Sequence, residues 1–249
     1  EVKRLCKEFG FTAGMLKGAL AEGRKKSGKI ITRIARKILS SQPSKEVSDS
    51  DLENLLWICS LYHKLDSVPG HIAEVGVASG RNTVLFGRLI KIFGHSSTRQ
   101  YIGFDTFDGY MESDLARDTH LALGNDRWKA FSKAGVMERC VINGVDDLVE
   151  LFQGDATTEV PRVLKIHKGL KFQPGKARFA LLYIDCNAYQ PAINSLRNFL
   201  PHLVPGAYIA IDEKLQGGES EALIEFAREN SLSVVKPGNM QVPMLLQMK

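Results

Sequence analysis

"LLYIDCNAYQPAINSLRNFLPHLVPGAYIAIDE", residues 181–213, decides the fold. Its first hydrophobic run ends on Asp185 and its last ends on Asp212, with a helical candidate over residues 190–200 between them. Two strands joined through a helix predict a parallel pair. Burying an unpaired carboxylate costs several kcal/mol. We therefore expect Asp185 at a strand end, where it faces a site or caps the helix that starts near Gln190.

The same alternation extends in both directions along the chain. Further β-like runs are "HIAEVGV", "YIGFD" and "LVELFQGD", and further helical candidates are residues 80–93, 126–134 and "SEALIEFARENS". Near the end, "LSVVK" and "VPMLLQM" are too close to enclose a crossover helix, which favours an antiparallel hairpin. The pattern predicts an α/β protein with a Rossmann-like, doubly wound, seven-stranded sheet, mostly parallel, with a C-terminal antiparallel hairpin and helices on both faces.

Basic residues are concentrated at the amino terminus. Residues 1–45 contain 12 Lys and Arg against 3 Glu, whereas the other 204 residues contain 21 basic and 25 acidic side chains. Residues 23–44 form a basic amphipathic pattern, which indicates a helical extension over residues 1–47 before a main domain over 48–249. That helix either docks on its own domain or a sister subunit, or binds an anionic partner. After Ser48, Leu52, Leu55, Leu56 and Cys59 share one helical face.

Cysteine and hydropathy patterns narrow the setting. The four cysteines are widely scattered, the six histidines lack ligand spacing, and no apolar run approaches about 18 residues. We expect no zinc site, no transmembrane segment and a reducing, cytoplasmic location. Without aromatic residues among the basic ones, nucleic acid is not the expected partner.

A first group of residues predicts a ligand pocket. "AEVGVASGRNTVLFGRLI", residues 73–90, passes from a strand through a glycine-rich turn into a helix, where backbone N–H groups attract negative charge. The next two strands end on Asp105 and Asp155. This arrangement suits dinucleotides, nucleotides and S-adenosylmethionine alike, although either aspartate could instead cap a helix or form a turn.

A second group is acidic. If the strands ending on Asp185 and Asp212 are neighbours, their carboxylates converge with that of Glu213. Three hard oxygen ligands suit Mg²⁺ or Ca²⁺, which would relieve their repulsion. In the alternative, Glu213 points into solvent and Asp212 only caps its strand end.

Taken in order, these motifs resemble the class I S-adenosylmethionine-dependent methyltransferases, and within them the macrocin O-methyltransferase (TylF/MycF-like) family. "GHIAEVGVASGRNTVLF" is similar to that family's entry motif, "GFDTFDGY" to its "DSFeGlP" stretch, and residues 181–213 to its "lriDgDlYes" to "DDY" region. The likeness covers about residues 69–231. The chain departs from the pattern at Asn187, Glu213 and Lys214.

The resemblance implies roles for individual residues. Glu74, Gly76 and Gly80 would surround the methionine part of the cofactor, Asp105 would bind its ribose, and Asp155 with Ala156 its adenine. Asp185 would act catalytically and would hold Mg²⁺ with Asp212 and Glu213. The complete predicted cofactor site is Glu74, Gly76, Val77, Ala78, Gly80, Asp105, Thr106, Asp155, Ala156 and Asp185.

The leading hypothesis is therefore an O-methyltransferase that acts on a hydroxyl of a sugar or glycosylated small molecule, and the basic amino terminus adds the hypothesis of an anionic acceptor. The alternatives are a nucleotide-dependent oxidoreductase and a methyltransferase-like binding domain without catalysis. Acceptor specificity is expected in residues 1–65 and 108–125, the latter as a cover over the site. The resemblance also implies a homo-oligomer.

Overall fold

The computed structural model describes residues 49–165, 178–212, 217–235 and 245–248. The predicted amphipathic segment 23–44 and the predicted domain boundary at residue 48 lie outside these ranges, and the boundary stays a prediction. In the described helices, none combines the length and the apolar character needed to cross a bilayer.

Strands and helices alternate along most of the described chain. The strands are β1 His71–Val75, β2 Tyr101–Asp105, β3 Val149–Gln153, β4 Phe179–Ile184, β5 Leu203–Ile211 and β6 Leu245–Gln247. The helices are α1 Asp49–Lys64, α2 Arg81–Ile92, α3 Glu112–Arg117, α4 Asn125–Trp128, α5 Lys133–Ile142, α6 Ala156–Lys165, α7 Tyr189–Phe199 and α8 Gly218–Glu229.

The described strands form one six-stranded sheet in the order β3-β2-β1-β4-β5-β6. All neighbours are parallel except β5 and β6, which pair antiparallel. A mostly parallel sheet with an antiparallel C-terminal pair is thus confirmed, but the seventh strand is not. Where the sequence predicts the first arm of a hairpin, Val235 makes a single antiparallel bridge to Leu245.

The sheet is covered on both faces. One core cluster contains the inward faces of α6, α7 and α8, and the other contains residues of α1, α2 and α5. All six residues of β4 are buried, because this strand lies at the centre of the sheet and its side chains enter the clusters on both faces. On α1, the residues buried in the core are Trp57, Ile58 and Leu61. The predicted apolar face, which includes Leu55 and Leu56, is exposed.

One helix prediction is wrong. The sequence predicts a helix over residues 126–134, but α4 ends at Trp128 and α5 begins at Lys133. Ser132 separates them, because its hydroxyl accepts a hydrogen bond from the backbone N–H of Gly135 at 3.2 Å and so caps α5. The segment from 133 to 142 was therefore missed as a helix, as was α6.

The strand order places a crevice at the carboxyl edge of the sheet. From β1 the chain winds outward to β2 and β3, then returns to β4 on the other side of β1. In such sheets ligands bind outside the carboxyl ends of the strands where the winding reverses. Here that point lies between β1 and β4.

Candidate active site

The turn after β1 requires glycine. Gly76 has φ +95°, and a Cβ on it would lie 1.9 Å from the backbone oxygen of Asp185. The approach is this close because the N–H of Asp185 donates to the carbonyl of Val75 at 2.8 Å. Gly80, at φ +74°, immediately precedes α2, and a Cβ there would lie 2.4 Å from Val136. The turn therefore brings backbone, rather than side chains, to the crevice.

Asp105 holds this turn in place. One carboxylate oxygen accepts hydrogen bonds from the backbone N–H groups of Val77 at 2.7 Å and Ala78 at 2.8 Å, and the other accepts from Phe107 at 2.6 Å. A carboxylate offers about four acceptor positions. Asp105 thus uses most of its capacity to join the ends of β1 and β2, and its bond to the N–H of Phe107, two residues on, is the turn-forming alternative that the sequence left open.

Glu74 lies beneath the turn and is 1% exposed. It accepts hydrogen bonds from the side chain of Asn82 at 3.0 Å and from the hydroxyl of Tyr101, which also contacts Thr83 at 2.9 Å. Burial raises the pKa of Glu74 well above its usual range, and the charges of Asp105 and Asp212 raise it further, although Asn82 opposes the shift. Glu74 therefore supports the floor of the crevice and is not part of its lining.

Asp155 caps α6. Its carboxylate accepts from the backbone N–H of Thr157 at 2.8 Å and from the hydroxyl of the same residue at 2.6 Å. The capping alternative is thus present, and Asp155 also lines the crevice together with Ala156. Thr106, another lining residue, donates its hydroxyl proton to the carbonyl of Gly109 at 2.5 Å.

Asp185 follows β4 and faces the crevice. Burial raises its pKa well above the usual range, and the negative charges of Asp212, Glu219, Glu74 and Asp105 add to the shift. The alternative that Asp185 caps the next helix is wrong. The residue before α7 is Ala188, which has no side-chain cap, and the N–H of Tyr189 donates to Asp118 at 2.9 Å instead. Asp185 is thus left facing the site.

The structure describes two of the three predicted metal ligands, Asp185 and Asp212. Asp212 accepts a hydrogen bond from the hydroxyl of Tyr183 at 2.7 Å, and its charge acts on Asp185 across the two neighbouring strands. Glu213 and Lys214 lie outside the described residues. Within the parts of the chain that the structure describes, no group of three His, Cys, Asp or Glu side chains has the arrangement of a metal site.

Backbone strain collects at this edge. Three residues other than glycine adopt left-handed conformations directly after strands: Ala78 at φ 47°, Phe107 at φ 50° and Asn187 at φ 58°. Such conformations cost about 1–3 kcal/mol each and persist where surrounding contacts hold them. Asn187 is held by a hydrogen bond from its N–H to the carboxylate of Glu219, which is fully buried at the start of α8.

Residues 107–128 form a roof over the crevice, as the sequence predicted for 108–125. The side chains that the sequence reasoning did not assign to the site are Tyr110, Met111, Asp114 and Trp128, all in the lining. The roof is fastened to the domain through Asp118, which binds the start of α7, and through Arg117, whose guanidinium lies 3.5 Å from the ring centre of Tyr189. The sequence signal that could have identified these site residues is the pair of aromatic side chains, Tyr110 and Trp128, that flank a polar, weakly periodic segment.

Together these elements line a cleft that is partly open to solvent, with about 690 Å³ of empty space when the open part is included. Of the predicted cofactor residues, the cleft is lined by Gly76, Ala78, Asp105, Thr106, Asp155, Ala156 and Asp185. Val77 is buried beside it and contributes its backbone N–H to Asp105. The concentration of carboxyl groups in the walls of the cleft favours a cationic ligand.

Known proteins share this architecture. CalS11, described as a calicheamicin methyltransferase, superposes with a TM-score of 0.64 at 22% identity, covering 90% of this chain and 93% of that one. The O-methyltransferase NovP superposes with a TM-score of 0.66 at 20% identity, covering 79% and 80%. These similarities confirm the Rossmann-like methyltransferase fold.

A curated relative and a family model add sequence evidence. The 8-demethyl-8-(2,3-dimethoxy-alpha-L-rhamnosyl)-tetracenomycin-C 4'-O-methyltransferase of Streptomyces olivaceus is 25% identical over 158 residues, 59% of this chain and 54% of that protein. The chain thus spans about half the length of this relative. The model of the family described as "Methyltransferase domain" matches residues 73–213, which run from β1 through the end of β5 and include the turn, Asp105, Asp155 and Asp185. Since that match covers more than half of its residues, this chain belongs to the methyltransferase-domain family.

Proposed function

We propose that this protein is an S-adenosylmethionine-dependent O-methyltransferase that methylates a hydroxyl of a sugar or of a glycosylated small molecule. The observation that carries the proposal is the cleft between β1 and β4, where the glycine turn, Asp105, Asp155 and Asp185 meet inside a methyltransferase domain. The relative from Streptomyces olivaceus, whose name places its methyl group on a rhamnosyl sugar, supports the acceptor class.

The charge of the cleft supports a cationic cofactor. Asp185 is surrounded by the charges of four other carboxylates, each of which raises its pKa. The sulfonium of S-adenosylmethionine is positively charged, so these carboxylates attract it more strongly than the neutral thioether product. The same difference in charge favours release of the product.

The residues of the turn bind the methionine part in this proposal. Gly76, Val77, Ala78 and Gly80 supply close backbone, and Glu74 acts from below by positioning α2. Asp105 and Thr106 bind the ribose, for which Asp105 has about one acceptor position left beyond its three backbone bonds. Asp155 and Ala156 bind the adenine.

Asp185 is the proposed catalytic residue. Its carboxylate oxygen accepts the proton that the acceptor hydroxyl loses as its oxygen attacks the methyl carbon. General-base assistance of this kind contributes typically about 10²–10⁴-fold. The remainder of the rate comes from holding the two reactants in line, which the roof residues Tyr110 and Trp128 assist by enclosing the acceptor and excluding water.

A magnesium ion is a finer part of the proposal. Asp185 and Asp212 fit it chemically, because they are hard oxygen donors whose repulsion a cation relieves, and Glu213 would complete the set. When bound, Mg²⁺ would lower the pKa of a coordinated acceptor hydroxyl. The homo-oligomer, the cytoplasmic location, an anionic acceptor and the role of the basic amino terminus stay predictions.

The test begins with titration calorimetry of cofactor-stripped protein against S-adenosylhomocysteine and NAD. Turnover is then measured by release of S-adenosylhomocysteine with nucleotide sugars and glycosylated acceptors, with and without EDTA. Asp185→Asn should retain binding of the neutral S-adenosylhomocysteine and lose at least about 100-fold in turnover, whereas Asp108→Asn, at an exposed position of the roof, should match the wild type.

Each alternative has its own outcome. Binding of NAD without S-adenosylhomocysteine would favour an oxidoreductase. Cofactor binding without turnover on any acceptor would favour a binding domain. Full activity in EDTA would show that the magnesium part of the proposal is wrong, whereas the proposed methyltransferase activity would stand.

A further inference from the structure

Asp114 is a buried acid that the proposed mechanism does not use. It lies on α3 in the roof, is 6% exposed and lines the cleft. As the third residue of its helix it accepts a hydrogen bond from the backbone of Met111, a local capping contact. The capping contact alone does not explain why this side chain is buried at the wall of the cleft. Glu112, in the first turn of the same helix, is exposed.

Asp114 and Asp155 line the same cleft, Asp114 from α3 and Asp155 from the residue directly before α6. The charge of Asp155 is the strongest electrostatic influence on Asp114, followed by that of Asp118 on its own element. From the loop after β4, the thiol of Cys186 is also within electrostatic reach of Asp114. The nearby guanidinium of Arg117 is engaged with Asp118 and Glu221. Asp114 is therefore surrounded mainly by acids.

Two carboxyl groups in such surroundings do not both stay ionised unless a cation lies between them or one of them holds a proton. A metal is not favoured, because the described residues gather no third ligand there. Burial together with Asp155 lifts the pKa of Asp114 to about 6. Asp155, in contrast, is held as an acceptor by the two hydrogen bonds that it receives from Thr157.

The pair thus presents one donor beside one acceptor. Asp155 retains about two acceptor positions after its bonds to Thr157. The walls around the pair include the apolar side chains of Met111, Ala156 and Pro191, which suit the faces of a flat ring. Adenine carries the complementary edge, with an amino group that donates and the neighbouring N1 that accepts.

We propose that Asp114 and Asp155 together read the edge of the cofactor's adenine, the protonated carboxyl of Asp114 donating to N1 while the carboxylate of Asp155 accepts from the amino group. This inference rests on the proposed function and deepens it. It makes Asp114 a cofactor-specificity residue contributed by the roof.

The experiment is titration calorimetry with S-adenosylhomocysteine at pH 5 and pH 8 on four forms of the protein: wild type, Asp114→Asn, Asp114→Ala and Glu112→Gln. Because only protonated Asp114 donates, the wild-type Kd should weaken about tenfold or more from pH 5 to pH 8. Asn carries a permanent donor and retains an acceptor for Met111. Asp114→Asn should therefore bind at pH 8 about as tightly as the wild type does at pH 5.

The other forms complete the comparison. Asp114→Ala should be weak at both pH values, and Glu112→Gln should follow the wild type. S-inosylhomocysteine carries a hydrogen on N1. The affinity of the wild type for it should rise relative to the affinity for S-adenosylhomocysteine as the pH rises, because ionised Asp114 then accepts a hydrogen bond from that N–H. A thermal melt of each variant confirms that it is folded.

The outcomes separate this inference from the proposed function. If Asp114→Asn has the same pH profile as the wild type, or if Asp114→Ala binds as tightly as the wild type at pH 5, the adenine-edge role of Asp114 is wrong while the methyltransferase proposal stands. If folded wild type binds no S-adenosylhomocysteine at either pH, the proposed function falls and this inference falls with it.

Discussion

The carboxylate of Asp118 accepts a hydrogen bond from the backbone N–H of Tyr189 at 2.9 Å, across 71 positions of sequence. Asp118 ends the first helix of the roof, and Tyr189 begins α7, directly after the catalytic candidate Asp185 and its neighbours. One hydrogen bond therefore caps a core helix and fastens the cover of the cleft. Gly218 permits this meeting, because a Cβ on it would lie 2.3 Å from the nitrogen of Tyr189.

Replacing Asp118 by Ala should lower the free energy of unfolding by about 1–2 kcal/mol, the usual cost of losing a helix cap. It should also loosen the roof, so that proteolysis within residues 107–128 becomes faster. Thermal melts and limited proteolysis measure both effects. Asp108→Ala, an exposed change in the same segment, is the control. Equal melting temperatures for the two variants would show that this bond contributes nothing.

Gly76→Ala should destabilise the protein by about 3–5 kcal/mol or prevent folding, because the new Cβ would lie 1.9 Å from the carbonyl oxygen of Asp185. Gly94→Ala is a matched control. Gly94 has a similarly left-handed backbone, φ +74°, but nothing lies within 4 Å of its added Cβ. It should cost only about 1–2 kcal/mol. Chemical denaturation measures both, and comparable losses would mean that backbone conformation, rather than the close approach, makes Gly76 necessary.

Asp105→Ala should cost about 2–4 kcal/mol even without ligand, because three backbone N–H groups lose their acceptor. Loss of cofactor binding in this variant would therefore not by itself report a contact with ribose. Thermal melts of the ligand-free protein test the structural part. An unchanged melting temperature together with lost binding would assign Asp105 to the ligand alone.

Asp114 should give the folded protein a measurable pH dependence. Its pKa rises from 3.8 to about 6 on folding, so the native state holds this proton more tightly than the unfolded chain does. The contribution of Asp114 to the free energy of unfolding is therefore most favourable below about pH 4. It is lost as the pH rises through about 6, a difference of up to about 3 kcal/mol. Asp114→Asn should be more stable than the wild type at pH 7 and no more stable at pH 4.

Urea denaturation at the two pH values measures this difference, with Glu112→Gln as the exposed control on the same helix. A gain in Asp114→Asn that is equal at both values would contradict titration of Asp114 as its source.

Sequence patterns predicted the sheet well, because each strand is a short hydrophobic run that ends in a recognisable turn. The strand-to-helix turn with Gly76 and the strand ends at Asp105, Asp155 and Asp185 were placed correctly at one edge. Periodicity failed where a single side chain set a boundary, as at Ser132, whose capping bond divides the predicted helix 126–134.

The site residues that were missed come from non-local contacts. Asp118 and Asp114 look like ordinary surface acids in the sequence, since the residues that act on them, Tyr189 and Asp155, follow much later in the chain. The resemblance places Glu74 near the methionine part of the cofactor, but a motif does not show which partners a side chain has within the fold. Its partners Asn82 and Tyr101 lie beneath the turn.

The floor and the roof of the cleft differ in how freely evolution can alter them. Glu74, Asp105 and Asp155 in the floor already use their oxygens to bond other parts of this chain. Any exchange there removes hydrogen bonds that the fold uses. Tyr110 and Trp128 project from the roof into the same cleft without taking part in those bonds. Substitutions at Tyr110 and Trp128 can therefore reshape the cleft while the hydrogen bonds of the floor stay intact.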